Sequence, residues 1–247
     1  MLFYKKTFNA LSSEGTTLFI DIGTNGEIVL LKNGSITASS TAAGPALEAG
    51  QISCGMCAED GAVYRISPDG KALIFGNAEP LGLCGSGIID AIANSISNGE
   101  IDSTGRIASG AEKLKIVGRV FLTQKDIREI QLAKAAVSAG IKCLLNETDT
   151  SLEDITRVVL AGGFGESLSI KNACIIGLIP AVLENKTVIV GNAAGEGAVK
   201  MLLDDEQRHC AAELALECKY LELADITGFV EVFVNSMGFD EAKIQNA

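Results

Sequence analysis

The stretch FIDIGTNGEIVLL, Phe19 to Leu31, decides the fold of this chain. An apolar run ends in Asp21, a glycine-containing loop follows, and a second apolar run begins at once. We therefore predict two strands joined by a tight loop, with the Asp21 carboxylate at the exposed end of the first strand. A carboxylate in that position can hold a magnesium ion or one of its water ligands.

The loop itself has the composition of a phosphate-binding turn. Gly23 and Gly26 carry no side chains, so the backbone donors between them can approach an oxyanion closely. Thr24 and Asn25 add short side-chain donors. An ordinary β-hairpin is the competing interpretation, because Asn-Gly is the strongest two-residue hairpin signal. The two interpretations are compatible, and the loop taken alone favours the plain hairpin.

The composition is that of a soluble globular protein, with 247 residues of which 47% are hydrophobic and 21% are charged. This length allows one large domain or two small ones. No apolar run approaches the roughly 20 residues of a membrane span, and the opening MLFYKKTFNA differs from a secretory signal. We therefore expect a cytoplasmic protein without a membrane partner. The net charge of -11 argues against a nucleic-acid partner, which requires a basic face.

The 7 cysteines do not form the pattern of a secreted disulfide framework, since their number is odd and their surroundings are apolar. Cys54-Gly-Met-Cys57 has the spacing of a redox pair or of two metal ligands. No second motif of this kind exists, and the single histidine, His209, lies in an acidic helical stretch. We therefore expect no mononuclear zinc site, and a solvated helix position for His209.

Hydrophobic periodicity predicts the element order β-β-β-α-β-α-β-α, with an insert over about residues 44–120 after the third strand. The clearest helix begins where Thr123 is followed three residues later by Asp126, the pattern of a capping box. The other predicted elements are strands over 16–22, 27–32 and 35–42, a glycine loop feeding a helix over 84–96, a strand from 157 into paired glycines, a short helix over 170–176, the strand TVIVGN, and a glycine loop feeding a helix over 195–203.

This order resembles one lobe of the actin, sugar kinase and heat-shock ATPase fold, an α/β lobe of the ribonuclease H-like type. Six motifs make the resemblance specific to the C-terminal ATPase domain of the reductive activators of corrinoid proteins. They are DIGTNGEIVL, STAAGPALEAGQISCGM, CGSGIIDAIA, TQKDIREIQLAKAAVSAGI, VVLAGGFG and VGNAAGEGA. The likeness runs from about Thr16 to Phe239, which leaves residues 1–15 as an N-terminal extension and 16–247 as the lobe.

The resemblance implies ATP and Mg2+ as cofactors and a corrinoid protein as partner, either a methyltransferase subunit or a corrinoid iron-sulfur protein. Such activators use ATP to drive the one-electron reduction of cob(II)alamin to cob(I)alamin. Their electron comes from an N-terminal 2Fe-2S domain with clustered cysteines, and no part of this sequence resembles that domain. We therefore expect no iron-sulfur cluster in this chain.

Nucleotide in this superfamily lies in a cleft between two lobes, and each lobe supplies an acidic phosphate loop. A second such loop is missing here, because the segment LADITGF near Asp225 lacks the pattern. We expect a cut piece of a longer activator or a short relative that completes its cleft with a partner. We therefore expect the isolated chain to bind ATP poorly and to have weak or no ATPase activity. The half-cleft also makes a homodimer plausible.

The resemblance also gives roles to the candidate residues of the first loop. Asp21 is the predicted catalytic and metal-binding residue, which orients Mg2+ or its water. Gly23, Thr24, Asn25 and Gly26 are the predicted contacts to the terminal phosphates, made through backbone and hydroxyl donors.

Two further glycine turns carry predicted cofactor contacts. Gly162 and Gly163 match the adenosine loop of the superfamily, where missing side chains leave room for base and ribose, although a plain strand-to-helix turn has the same letters. Gly85, Ser86 and Gly87 begin a helix whose first amides can face an anion, and a structural turn explains them equally well.

Two other functions remain open from the sequence. One is a dimeric activator of the acyl-CoA dehydratase type, in which Cys54, Cys57 or Cys84 would bind a 4Fe-4S cluster between subunits; iron in anaerobically purified protein would support it. The other is a non-catalytic docking module that binds a corrinoid protein through its acidic surface, independently of nucleotide.

Overall fold

The computed structural model describes residues 15–163 and 167–239. The predicted N-terminal extension therefore lies outside the described residues except for Gly15, and so does the end of the VVLAGGFG motif, Phe164 and Gly165. The strands are β1 (Thr16–Ile22), β2 (Gly26–Lys32), β3 (Ser35–Thr41), β4 (Ala62–Ile66), β5 (Ala72–Ile74), β6 (Gly82–Leu83), β7 (Lys113–Val117), β8 (Val120–Thr123), β9 (Ile155–Gly162), β10 (Thr187–Gly191) and β11 (Cys218–Tyr220). The α-helices are α1 (Gly85–Ser97), α2 (Gln124–Glu147), α3 (Ile170–Ile175), α4 (Ala193–Leu203), α5 (Asp205–Glu217) and α6 (Phe229–Asn235).

A six-stranded mixed sheet in the order β10-β9-β1-β2-β3-β11 forms the centre of the fold. β1 is antiparallel to β2 and parallel to β9, and β9 is parallel to β10. The carboxyl ends of β1, β9 and β10 consequently meet at one edge of the sheet. This is the edge at which open α/β sheets bind their ligands.

Helices cover both faces of the sheet, and both faces carry apolar side chains that pack against them. Successive residues of a strand point to opposite faces, so Ile20 and Ile22 belong to the large core with α1 and α2. Phe19 lies on the other face, in a smaller core that includes Ala193 of α4 and Leu214 of α5. The confirmed α/β fold thus explains the long apolar run of β1, which is buried on both sides.

The predicted capping box at the start of α2 is present: Thr123 Oγ1 accepts a hydrogen bond from the Asp126 amide, and the Asp126 carboxylate accepts one from the Thr123 amide. The same carboxylate accepts hydrogen bonds from the amide and the hydroxyl of Ser53, at 2.8 and 3.1 Å. A helix cap therefore also holds the segment that carries Cys54 and Cys57 against the start of α2.

The insert forms a three-stranded sheet of β5, β4 and β6 and a hairpin of β7 and β8. Asp90 of α1 is fully buried and joins the insert to the rest of the chain, since it accepts hydrogen bonds from the Ile66 amide at 2.9 Å and from Asn172 Nδ2 at 2.6 Å. Arg65 lies 3.8 Å from the same carboxylate. These contacts fix α1, and with it the glycines at its start.

The structure contains elements that the predicted order lacks. Helix α1 corresponds to the helix predicted over 84–96 and α2 to the one predicted from Thr123, whereas α5 has no counterpart among the predicted elements. Gly195 was predicted in a loop, but α4 already begins at Ala193, because Asn192 caps it by accepting a hydrogen bond from the Gly195 amide at 2.8 Å. The short strand β11 adds to the edge of the sheet, parallel to β3.

The end of the described chain is tied to the middle of α2. Lys134 is fully buried in α2 and donates a hydrogen bond to the Gly238 carbonyl. Gln131 Nε2 donates to the Met237 carbonyl at 2.8 Å, and the Phe239 amide donates to the Ser103 carbonyl at 2.9 Å. The segment after α6 is thereby held between α2 and the turn that follows α1.

Candidate nucleotide-binding site

The loop after β1 is held in place by the start of the insert. The Thr24 carbonyl accepts a hydrogen bond from the Gly44 amide at 2.8 Å, and Thr24 Oγ1 donates one to Glu48 Oε2 at 2.8 Å. Gly44 has φ of 75°, a conformation that favours glycine, and it begins the short 3-10 helix Pro45–Glu48. These two hydrogen bonds from the insert therefore hold the predicted phosphate loop in place.

The donors of this loop are not all available. The Gly23 amide donates to the Asn25 carbonyl at 2.9 Å, so it is used within the loop and not left for a phosphate. Among residues 15–163 and 167–239, no backbone group accepts a hydrogen bond from the amides of Thr24 or Asn25. Two adjacent amides that have no backbone acceptor are available to donate to an anion.

Gly26 is packed closely against its neighbours. A Cβ built on it would lie 3.1 Å from Thr41 Cγ2 and 3.2 Å from Val137 Cγ2. Glycine at this position lets β2 begin directly beneath α2.

Asp21 points to the face of the sheet that carries α4 and α5. Its partner across the β1–β2 ladder is Glu27, and Glu27 in turn is paired with Ser40 of β3, whose hydroxyl donates to Glu27 Oε1 at 3.3 Å. Burial raises the pKa of Asp21, and the neighbouring Glu27 carboxylate raises it further. Two carboxylates that face each other across neighbouring strands are a suitable place for a positive charge.

Glu48 is a site residue that the sequence prediction missed. Its Oε2 binds Thr24, while its Oε1 would lie 3.9 Å from a Cβ on Gly23 and 3.8 Å from a Cβ on Gly163. The carboxylate therefore stands between the loop after β1 and the loop after β9. The stretch Gly44-Pro45 followed by an acid three residues later was the available signal.

A cavity of about 210 Å³ opens beside Glu48 and brings several predicted residues together. Gly163 lines it on one side, and Gly85 and Ser86 line it on the other with the first turn of α1, whose amides have no partner within the helix. The remaining wall consists of Leu47, Met56, Cys57, Ala58, Phe75, Cys84 and Ser167. The cavity thus joins an apolar wall to anion-binding backbone, a combination that suits a nucleotide.

Three residues that were predicted to contact the cofactor also make close contacts within the protein. Gly162 has φ of 129°, and a Cβ there would overlap the Ile22 carbonyl oxygen of the neighbouring strand. A Cβ on Gly87 would overlap the Val63 carbonyl oxygen of β4. The Ser86 hydroxyl donates to the Tyr64 carbonyl at 2.8 Å, so only the backbone of Ser86 remains for a ligand.

The cysteines near the cavity differ in their exposure. Cys57 is exposed, Cys54 is half-buried, and Cys84 is buried with its thiol 3.5 Å from the Val63 carbonyl oxygen. Within the part of the chain that the structure describes, His, Cys, Asp and Glu side chains form no group of three or more that could hold a metal ion.

A protein-family model described as the C-terminal domain of RACo, the ASKHA domain, matches residues 15–247. The chain belongs to this family. The resemblance stated from the six motifs is thereby confirmed.

Relatives and solved structures of the family agree with this assignment. The corrinoid activation enzyme RamQ of Eubacterium limosum is 35% identical over 258 residues, which take in 92% of this chain and 43% of the relative. The Co(II) methylated amine-specific corrinoid protein reductase of Methanosarcina barkeri is 27% identical over 224 residues, 81% of this chain and 41% of the relative. A solved structure of the reductive activator for corrinoid,iron-sulfur protein superposes with a TM-score of 0.86 at 37% identity, over 96% of this chain and 41% of that one.

The chain spans less than half the length of each of these relatives. What the structure describes is therefore comparable with the matched domain of an activator and not with its whole length. In the same described part, no helix has the length and apolar character needed to cross a lipid bilayer.

Proposed function

We propose that this chain is the nucleotide-binding lobe of a reductive activator of corrinoid proteins, with ATP and Mg2+ as its ligands. The observation that carries the proposal is the convergence of Glu48 and Gly163 on one cavity at the carboxyl edge of the sheet, with Thr24 of the first loop hydrogen-bonded to Glu48. The family match supports an ATPase-type fold, and the corrinoid proteins named as targets of the relatives support a corrinoid protein as the partner.

Different residues of the chain bind different parts of the nucleotide. The free amides of Thr24 and Asn25 bind oxygens of the terminal phosphates, and the first amides of α1 at Gly85 and Ser86 bind oxygens nearby. Gly163 leaves space for the ribose and base beside the apolar wall. Asp21 holds a positive charge, directly or through water, as a hard oxygen ligand of the kind that Mg2+ prefers.

Mg2+ supplies charge neutralisation between the phosphates and the nearby carboxylates when it is bound. The donor set present fits it, because hydroxyl, amide and carboxylate groups lie at the same edge of the sheet. In the complete activator, nucleotide binding and hydrolysis change lobe closure and the docking of the corrinoid partner, and so accompany the reduction of cob(II)alamin to cob(I)alamin. A second copy of the chain is one candidate for the other wall of the cleft.

Isothermal titration of the chain with MgATP tests the nucleotide site, at concentrations that reveal millimolar affinity. Asp21→Ala and Thr24→Val are compared with Glu59→Gln, which changes an exposed carboxylate of the insert. We expect saturable heat for the wild type and for Glu59→Gln, and a loss of about tenfold in affinity for Asp21→Ala and Thr24→Val. Absence of saturable heat from the wild type would refute nucleotide binding by this lobe.

A further inference from the structure

Glu48 belongs to the insert, yet its carboxylate faces the place where the terminal phosphates of the proposed nucleotide lie. Oε2 accepts the only proton that the Thr24 hydroxyl can donate, at 2.8 Å. Oε1 faces Gly23 and Gly163, the two glycines that border the space between the loops after β1 and β9. Glu48, on the 3-10 helix Pro45–Glu48, therefore contacts the loop after β1 and faces the loop after β9.

A carboxylate in this position repels an anion that enters the same space. Like charges that come within a few ångströms of each other at a protein surface repel strongly enough to lower an affinity by roughly tenfold. A polyphosphate that approaches Thr24 must therefore bring a cation with it, or lose affinity to Glu48. Mg2+ bound to phosphates is commonly held by one or two carboxylates, often through water.

Glu48 and Asp21 lie on different faces of the sheet, so Glu48 meets the cation from the side of the cavity. Asp21 alternates with Ile20 and Ile22 along β1, so its side chain lies on the sheet face opposite to Leu47, the residue that precedes Glu48. Glu48, by contrast, lines the cavity together with Gly163 and Ser86.

We propose that Glu48 determines the Mg2+ requirement of the site: its carboxylate receives the nucleotide-bound Mg2+ through water and rejects ATP that arrives without the metal. This role rests on the proposed function, since it presumes that the cavity takes a nucleotide. It makes Glu48 a specificity-determining residue that selects MgATP over free ATP.

NMR titration of the 15N-labelled chain tests the role, because it follows millimolar binding without requiring turnover. ATP is added in the presence of excess Mg2+ and, separately, in the presence of EDTA, to the wild type, Glu48→Gln and Glu59→Gln. Glutamine keeps an oxygen that accepts the Thr24 proton, so the loop stays attached to the insert while the charge is removed. Circular dichroism melts confirm that the three proteins are folded.

We expect the wild type and Glu59→Gln to bind MgATP far better than free ATP. Glu48→Gln should bind free ATP about tenfold more tightly than the wild type does, so that the ratio between the two forms of ATP falls by at least that factor. An unchanged ratio in Glu48→Gln overturns the role of Glu48 and leaves the nucleotide site standing. Equal loss of both forms in a folded Glu48→Gln also overturns it, because the carboxylate would then only hold the loop. No binding by the wild type in either condition refutes the proposed function itself.

Discussion

Gly162 and Gly163 are adjacent in sequence, and the structure predicts opposite consequences for replacing them by alanine. Gly162 has φ of 129°, which side chains rarely adopt, and a Cβ there would overlap the Ile22 carbonyl oxygen and lie 3.0 Å from its carbonyl carbon. Gly163 has no such φ, and its Cβ would meet Glu48 Oε1 at 3.8 Å, an ordinary van der Waals distance. Alanine is therefore excluded at the first position and accommodated at the second.

The cost of Gly162→Ala is the sum of two effects. An unfavourable φ/ψ combination costs about 1–3 kcal/mol. Overlap with a backbone atom adds about 1–3 kcal/mol, because Ile22 belongs to a strand bonded on both sides and cannot move away cheaply. The free energy of unfolding should then fall by about 2–6 kcal/mol, a large part of the total stability of a domain. For a chain of this size, the midpoint of thermal unfolding should fall by roughly 10 °C.

Urea denaturation followed by far-ultraviolet circular dichroism measures this loss, since the chain has no tryptophan for fluorescence. Gly163→Ala is the matched control and should unfold within about 1 kcal/mol of the wild type. It should nevertheless weaken MgATP binding if the nucleotide lies against that turn. Equal stability of the two variants would refute the assignment of Gly162 to strand contact and of Gly163 to the ligand cavity.

Three further variants test the contacts around the site. Asp126→Ala removes the acceptor of the Ser53 amide at 2.8 Å and should lower the free energy of unfolding by about 2–4 kcal/mol in urea. Burial raises the pKa of Asp90, so the folded state holds this proton more firmly than the unfolded state does. The contribution of Asp90 to the free energy of unfolding should therefore fall as the pH rises from about 3.9 to the raised pKa. In thermal melts at several pH values, Asp90→Asn should remove this part of the pH dependence. Glu27→Gln should lower the pKa of Asp21, seen by 13C NMR titration of its carboxyl group, because one of the causes that raise it is removed.

Each of these expectations has a clear contrary result. An Asp126→Ala variant as stable as the wild type would mean that the cap does not hold the insert. Identical pH profiles for Asp90→Asn and the wild type would remove Asp90 from the titrating groups. An unshifted Asp21 in Glu27→Gln would show that burial alone sets its pKa.

Local patterns were predictable from the sequence, and contacts between distant segments were not. Thr123 and Asp126 are three residues apart, so their reciprocal cap depends on the residues themselves and was predicted correctly. The strand ending near Asp21 followed from its apolar run in the same way. Both predictions use periodicity or spacing within a single element.

Glu48 shows where this reasoning stops. Its partner Thr24 is 24 residues away, and their hydrogen bond depends on the turn at Gly44 that brings the insert back to the sheet edge. The pair Gly162 and Gly163 shows the same limit, since the sequence assigned one role to both. What distinguishes Gly162 from Gly163 is the strand register, which sets Gly162 opposite Ile22.

The tie between Lys134 and the end of the described chain has a consequence for synthesis. The ammonium of Lys134 and the Gly238 carbonyl that accepts its hydrogen bond are separated by 104 residues, so α2 leaves the ribosome well before this acceptor exists. At about 5–20 residues per second, the delay is of the order of 5–20 s. Burying an ammonium before one of its hydrogen-bond acceptors is available is costly, so the ammonium of Lys134 stays hydrated during this interval. The face of β2 and β3 that packs against α2 would stay uncovered during the same interval.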